Sequence, residues 1–345
     1  MITNAIKQLV EGRDLPAEEA HAAMMQVMSG DASPAQISAF VVALRMKGET
    51  PDEVAGCARA MRAHVTPARP SRDGLVDTCG TGGDGSDTFN ISTSAALVAA
   101  AAGVPIAKHG NRAVSSRCGS ADVLEALGVR IDLTPDDVAA SIDEIGFGFL
   151  FAQAHHPAMR HAGPVRRELG VRTVFNLLGP LTNPAGARRQ VMGVYAGHLV
   201  EPMAQVLARL GVDHALVVHG AGGLDELTPT GENLMAEVRD GQVTMRTLDP
   251  RPLSTGPAPG TPDDLRVGGD PAQNAAIIRT VFDGERGPRR DAVILNAAGA
   301  MLVGGLVDDF EQGIDHAVRT IDSGAATAKP DEVVEFTRAR APVAG

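Results

Sequence analysis

Apolar positions along the chain change their period once, near Gly74. Before it, Ile37, Phe40, Val41 and Leu44 recur at helical spacing, and Met24, Met25 and Met28 form a second apolar face. Thr50-Pro51-Asp52-Glu53 and Ser33-Pro34-Ala35-Gln36 each put a hydroxyl at an N-cap, Pro at the first helical position and Glu or Gln three residues on. Gly12, Gly30 and Gly48 follow apolar-periodic runs as helix stops. Residues 1–65 are therefore expected to form four short helices. The methionine cluster reads as core filler or a subunit contact rather than a cofactor box.

After Gly74, short β-branched or apolar runs alternate with Ala- and Leu-rich helical stretches. That alternation predicts an α/β fold, a mainly parallel central sheet with flanking helices, joined to the small all-helical domain. The expected strands are Leu75–Thr78, Val104–Ala107, Phe147–Phe151, Val191–Tyr195 and Leu216–His219. Asn233–Val238 and Val243–Thr247 read as an antiparallel hairpin at one edge. An Ala-rich helix is expected to open at a Ser92-Thr93 cap, and Asp291–Val303 and Phe310–Ile321 read as closing helices. Residues 250–262, rich in Pro, Gly, Ser and Thr, read as a surface loop. The expected division is residues 1–65, with a helical segment near 165–185, against an α/β catalytic domain over 73–345.

Composition removes several function classes. The 31 Lys+Arg against 42 Asp+Glu give a net charge of −11, with no Trp and one Tyr. An acidic chain without an aromatic platform suits neither phosphate backbones nor stacked bases, so no nucleic-acid partner is expected. Cys57, Cys79 and Cys118 form no CxxC pair, which argues against a disulfide framework and a zinc site. The N-terminus has no basic start followed by an apolar run, and the Ala-rich stretch 95–107 is too short to span a bilayer. A cytoplasmic protein with no membrane contact is the expectation.

The chemistry concentrates at strand ends. Cys79-Gly80-Thr81-Gly82-Gly83-Asp84-Gly85 follows a predicted strand, and glycines there let successive backbone N–H groups turn toward one anion. Gly80, Gly82 and Gly85 also satisfy the dinucleotide pattern G-x-G-x-x-G. However, Ser86 to Ile91 intervene before the helix, and the next strand ends in Lys108-His109 where a ribose would want an acid. A cation there suits phosphate. Asn90-Ile91-Ser92 matches a glycosylation sequon but serves better beside the helix cap. Lys108 to Arg112, Ser115-Ser116-Arg117 and Gly119-Ser120 add cations and hydroxyls of the kind that clamp a polyanion. Asp225-Glu226 follows the strand ending at His219 and offers oxygen ligands for Mg²⁺. His156 and Arg166 read as pocket lining.

Assembled, these strings resemble the anthranilate phosphoribosyltransferase family. Gly80-Thr-Gly-Gly-Asp84, Asn90-Ile-Ser-Thr93, Lys108-His-Gly-Asn-Arg112, Val165-Arg166, Phe175 to Pro184 and Asp225-Glu226 stand in the family's order over nearly the whole chain. The resemblance implies a fold of the nucleoside phosphorylase and phosphoribosyltransferase type. It implies transfer of phosphoribosyl from phosphoribosyl pyrophosphate (PRPP) to the amino group of anthranilate, with release of pyrophosphate, in tryptophan biosynthesis. Carried over residue by residue, Gly80, Gly83, Asp84, Thr88, Asn90, Ser92 and Thr93 would embrace PRPP, and Lys108, Ser116 and Ser120 would hold its phosphates. Gly80, His109, Asn111 and Arg166 would receive anthranilate, with Arg166 facing its carboxylate. Ser92, Asp225 and Glu226 would ligate Mg²⁺, at two ions per subunit. No catalytic triad or strong base is expected, because positioning and electrostatics suffice. The family assembly and the apolar helical faces point to a homodimer through the helical domain. Asp87, Cys118 and Met159 stand at positions variable in the family. A pyrimidine nucleoside phosphorylase of the same fold would carry Lys-His-Ser in place of Lys108-His109-Gly110. A catalytically silent nucleic-acid-binding relative would be basic and lack the acidic pair.

Overall fold

The computed structural model describes residues 1–113, 117–250, 260–267 and 269–340. Ser115-Ser116 and most of the expected surface loop at 250–262 lie outside the described residues. Four helices open the chain: α1 (Ile2–Val10), α2 (Ala17–Ser29), α3 (Pro34–Lys47) and α4 (Pro51–Arg62). Both expected capping boxes form. Ser33 Oγ accepts from the Gln36 N–H and Thr50 Oγ1 from the Glu53 N–H, while each N3 side chain reaches back to the cap. Glu53 is buried and also accepts from the Leu15 N–H at 2.9 Å and Lys47 Nζ at 3.0 Å, so one carboxylate ties three segments together.

The sheet has seven strands: β1 (Val76–Asp77), β2 (Ile106–Gly110), β3 (Phe147–Phe151), β4 (Arg189–Gly193), β5 (His214–His219), β6 (Asn233–Arg239) and β7 (Gln242–Leu248). Their order is β3-β2-β1-β4-β5-β6-β7. The first five are parallel, and β6 and β7 add the antiparallel hairpin. Strand order reverses on either side of β1, which makes its carboxyl end the switch point where open α/β sheets bind ligands. Asp240 and Gly241, both at positive φ, make the hairpin turn, so β6 runs one residue further than the hydrophobic pattern suggests and β7 one residue further at each end.

Several boundaries differ from the expectation. The second strand is Ile106–Gly110 rather than Val104–Ala107, so Lys108 and His109 lie within it; β1 is only Val76–Asp77, and β5 starts at His214, two residues before Leu216. The fourth strand is Arg189–Gly193, two residues earlier than Val191–Tyr195, because Gln190 pairs beside Asp77 and the chain turns off at Gly193 against the acidic loop. The Ala-rich helix α5 (Ile91–Ala101) starts one residue before Ser92, with Asn90 at the N-cap and no side-chain cap bond. A first-turn N–H of α5, that of Ser92, instead donates to Glu226 Oε1 at 3.2 Å. A carboxylate from across the site thus takes over capping.

Side chains alternate across the sheet as the pleat requires. Ile106, Phe147, Val191, Leu216 and Val218 join one cluster with α5 and the helix Pro288–Gly304. Met192, Val194, Ala215 and Val217 join the other, which continues without a break into α1–α4 and into Ala162, Val165, Val174, Phe175 and Leu178. The helical N-terminus is therefore seated on one face of the sheet. No helix among the described residues is long and apolar enough to cross a membrane.

Candidate active site

The glycine loop leaves β1 and turns through Gly82, Gly83 and Gly85 at φ +63°, +78° and +74°, a region that side chains with a Cβ rarely enter. Gly80 is glycine for a different reason. A Cβ there would stand 2.9 Å from the Gly193 carbonyl oxygen. The Thr81 N–H donates to that carbonyl at 2.8 Å, and the Tyr195 N–H donates to Thr81 Oγ1 at 3.1 Å. Gly193 in turn touches the acidic loop so closely that a Cβ would overlap the Asp225 carbonyl oxygen at 1.5 Å. β1, β4 and the Asp225 loop are thus nested backbone to backbone.

Asp84 closes this nest. Its carboxylate accepts from Ser86 Oγ at 2.6 Å, from the Ser86 N–H at 3.0 Å and from the Asp225 N–H at 3.3 Å. Beyond it, Asp87 at φ +50° leads into an antiparallel bridge between Thr88 and Arg266. The Phe89 N–H donates to the Leu265 carbonyl at 3.1 Å and the Val267 N–H to the Asp87 carbonyl at 3.0 Å. The far end of the loop is pinned as well as the near one.

Lys108 is almost fully buried, and its ammonium donates to Thr78 Oγ1 at 3.0 Å and to Ser92 Oγ at 3.4 Å. Burial pulls its pKa down, with the charges of Asp77 and Glu226 pulling the other way. Glu226 is pushed up to about 7 by burial, against the opposing attraction of Lys108. Asp225 is raised well above the ordinary carboxylate range by burial first, and then by repulsion from Asp84 and Glu226. These acids, with the Ser92 hydroxyl, form an all-oxygen donor set under mutual repulsion, which a hard divalent cation would relieve. No group of three or more His, Cys, Asp and Glu side chains is arranged to hold a metal by itself among the described residues.

On the other side of β2, His109 Nε2 and His156 Nε2 are 3.1 Å apart. Burial is the main cause that holds both below the ordinary imidazole range, His156 at about 4 and His109 well below it. Two neutral rings can share one proton across that contact, one as donor and one as acceptor. Arg166 lies on the helix Met159–Leu169, half-buried, with its guanidinium 5.3 Å from the ring centroid of Phe175, and burial lowers its pKa. Asn111 is exposed, and its carbonyl accepts from Ser120 Oγ at 3.3 Å, which places Ser120 at the start of α6 (Ser120–Leu127) beside the end of β2.

Asp84, Asp225, Glu226, Ser92 and Lys108 are linked by direct contacts or adjacency in the chain, and Gly80 joins them through the Gly193 backbone. His109 adjoins them through β2, and Asn111 and Ser120 flank its end. Among the described residues no hydrogen bond joins Arg166 to this cluster, and Ser116 lies outside the described residues. Three buried polar atoms without partners fall at expected site residues: Asn90 Oδ1, Thr93 Oγ1 and His109 Nδ1. Buried polar atoms seldom go unpaired; the other unpartnered ones among the described residues are on Thr173, Arg189, Asn274 and Arg290. Four further residues stand at the site without being among the expected site residues, although Asn183 falls within the Phe175 to Pro184 string. Asp77 accepts from the His109 N–H at 3.0 Å and from Asn183 Nδ2 at 2.7 Å, and burial raises its pKa to about 6. Asn183 also donates to the Ala107 carbonyl at 2.8 Å, and Arg172 and Tyr195 stack beside the glycine loop.

Comparison with known proteins agrees with this arrangement. Residues 72–327 match the model of the glycosyl transferase family, a/b domain, and residues 3–65 match its helical bundle domain. The anthranilate phosphoribosyltransferase of Pelotomaculum thermopropionicum is 55% identical over 337 residues, covering 98% of this chain and 97% of the relative. The crystal structure of the enzyme of that name from Thermus thermophilus superposes with a TM-score of 0.91 at 48% identity, covering 97% of this chain and 99% of that one. The Saccharomyces cerevisiae enzyme, solved in complex with PRPP and Mg, gives 0.87 at 27% identity, with 98% of each chain covered. The chain belongs to the anthranilate phosphoribosyltransferase family within these glycosyl transferases.

Proposed function

We propose that this chain transfers the 5-phosphoribosyl group of PRPP to the amino group of anthranilate and releases pyrophosphate. The observation that supports it most is the grouping of unpartnered Asn90 Oδ1 and Thr93 Oγ1 with buried Lys108 and the glycine loop at the switch point. In this reading Gly80, Gly83, Asp84, Thr88, Asn90, Ser92 and Thr93 surround PRPP, and Lys108, Ser116 and Ser120 hold its phosphates. His109, Asn111 and Arg166, with Gly80, receive anthranilate. The cytoplasm as the working compartment and a homodimer through the helical part belong to the same reading. So does the division into a helical part (1–65 with 165–185) and an α/β part (73–345).

The reaction breaks the bond between the ribose carbon and pyrophosphate while the amine nitrogen attacks. Negative charge grows on the leaving group, and positively charged or N–H-bearing groups aimed at it lower the barrier. Ser92, Asp225 and Glu226 would hold Mg²⁺, at two ions per subunit, and its charge would further neutralise the pyrophosphate. Lys108 is held by Thr78 and Ser92 in one orientation, so it adds its charge without reorganising. The aromatic amine is already neutral near pH 7 and needs no strong base to attack. Neutral His109 and His156 give it an uncharged wall, and Arg166 supplies one cation for the carboxylate. The test is to follow anthranilate fluorescence in the presence and absence of PRPP and Mg²⁺. Consumption that requires both supports the reading, and no consumption with both present overturns it.

A further inference from the structure

The glycine loop is gripped from a direction that the substrate residues do not account for. Arg172 lies in the short connection between the helices Met159–Leu169 and Phe175–Leu178, on the side of the molecule that carries Arg166. Its guanidinium donates to the carbonyl of Gly83 and stands 4.3 Å from the ring centroid of Tyr195. Tyr195 just follows β4, and its backbone N–H donates to Thr81 Oγ1. The contacts close a ring: Thr81 on the end of β4, Gly83 on Arg172, and Arg172 on Tyr195.

Such a ring matters because of what it restrains. Gly82, Gly83 and Gly85 all sit at positive φ, and glycine gives up more backbone freedom on being fixed than any other residue. An unrestrained loop would give up that freedom when the diphosphate binds, whereas a loop already held presents its N–H groups in place. A Cβ on Gly83 would come no nearer than 3.8 Å to Arg172, so the glycine is there for its backbone angle and the arginine is free to hold it. A guanidinium can stack by its face while donating from its edge; an ammonium cannot do both. We infer that Arg172, seated on Tyr195, is a positioning residue that pre-sets the glycine loop for the diphosphate of PRPP. The inference rests on the functional reading above and assigns Arg172 to the diphosphate side, although its chain segment adjoins the anthranilate side.

The experiment measures steady-state kinetics of the full chain with each substrate varied, and calorimetric binding of inorganic pyrophosphate with Mg²⁺. Arg172→Ala should raise the KM for PRPP about tenfold, the scale of a lost charge-assisted hydrogen bond, and weaken pyrophosphate to match. The KM for anthranilate and the thermal midpoint should hold. Arg172→Lys and Tyr195→Ala should behave like Arg172→Ala, and Tyr195→Phe, which keeps the ring, like the unaltered chain. The double variant R172A/Y195A should be no worse than the poorer single one. An unchanged KM for PRPP, equal rises in both KM values, or a Tyr195→Phe defect equal to that of Tyr195→Ala would overturn the inference. If the unaltered chain binds pyrophosphate but does not consume anthranilate, the functional reading fails, and pyrophosphate affinity alone then decides the role of Arg172. If it binds neither, both fall.

Discussion

The two sides of the site handle buried charge in opposite ways. On the glycine-loop side, Lys108, Asp84, Asp225 and Glu226 keep ionisable groups close together, and Asp225 and Glu226 are pushed up by burial and by neighbouring acids. Around His109 and His156, burial lowers both imidazole pKa values, and Arg166, assigned to the same side in the proposed function, rests on the Phe175 ring. A frustrated cluster of charges gains most from a ligand that brings compensating charge, whereas a neutral pocket with one cation gains from shape and a single carboxylate. In the proposed function, the first side takes a polyanion with Mg²⁺ and the second an aromatic acid.

The comparison breaks most visibly at the acidic pair. Glu226→Gln or Asp225→Asn should lower kcat about 100-fold and abolish its dependence on Mg²⁺, with fold stability maintained. Unchanged turnover at low Mg²⁺ would show that these carboxylates are not the metal's partners. Next in size, Arg166→Ala should raise the KM for anthranilate about tenfold and leave that for PRPP alone. Equal effects on both substrates would dissolve the distinction between the sides.

A smaller effect follows from the titration of Glu226, raised from its ordinary 4.5 to about 7. A carboxyl group raised by folding contributes stability that is fully present below its ordinary pKa and lost as pH rises through the folded value. The metal-free chain should therefore lose thermal stability between about pH 4.5 and about pH 7, and Mg²⁺, which binds the ionised form, should restore it on the alkaline side. Scanning calorimetry with and without Mg²⁺ checks this; a Glu226→Gln chain with the same slope would assign the loss elsewhere. Smallest of all, Thr50→Ala removes a helix cap far from either side and should cost about 1 kcal/mol in unfolding free energy. Kinetic constants that moved with it would mean that the helical bundle feeds into the site.

Much of this was readable along the chain because it is local. The seven strands, the capping boxes at Ser33 and Thr50, and the glycine loop announce themselves within a few residues. Departures came wherever a distant segment decides. The start of α5 could not be read from Ser92-Thr93, because the residue bonded to its first turn is Glu226, 134 positions away. The end of β4 is set at Gly193 by the Asp225 backbone. Asp77, with no neighbours of a recognisable pattern, acquires its place only when Asn183 and the His109 N–H close around it. Arg172 was silent for the same reason, since its partners Gly83 and Tyr195 lie on two different strand ends.

The pinning of the glycine loop also bears on biosynthesis of the chain. Asp84 meets Asp225 across 141 residues, and Phe89 reaches Leu265. A nascent chain that has left the ribosome only as far as β4 carries the whole Gly-Thr-Gly-Gly-Asp string and nothing to fasten its far end. Binding competence therefore arrives late in translation, with the emergence of residues near 265, and truncated products are left without a formed receptacle for the sugar diphosphate.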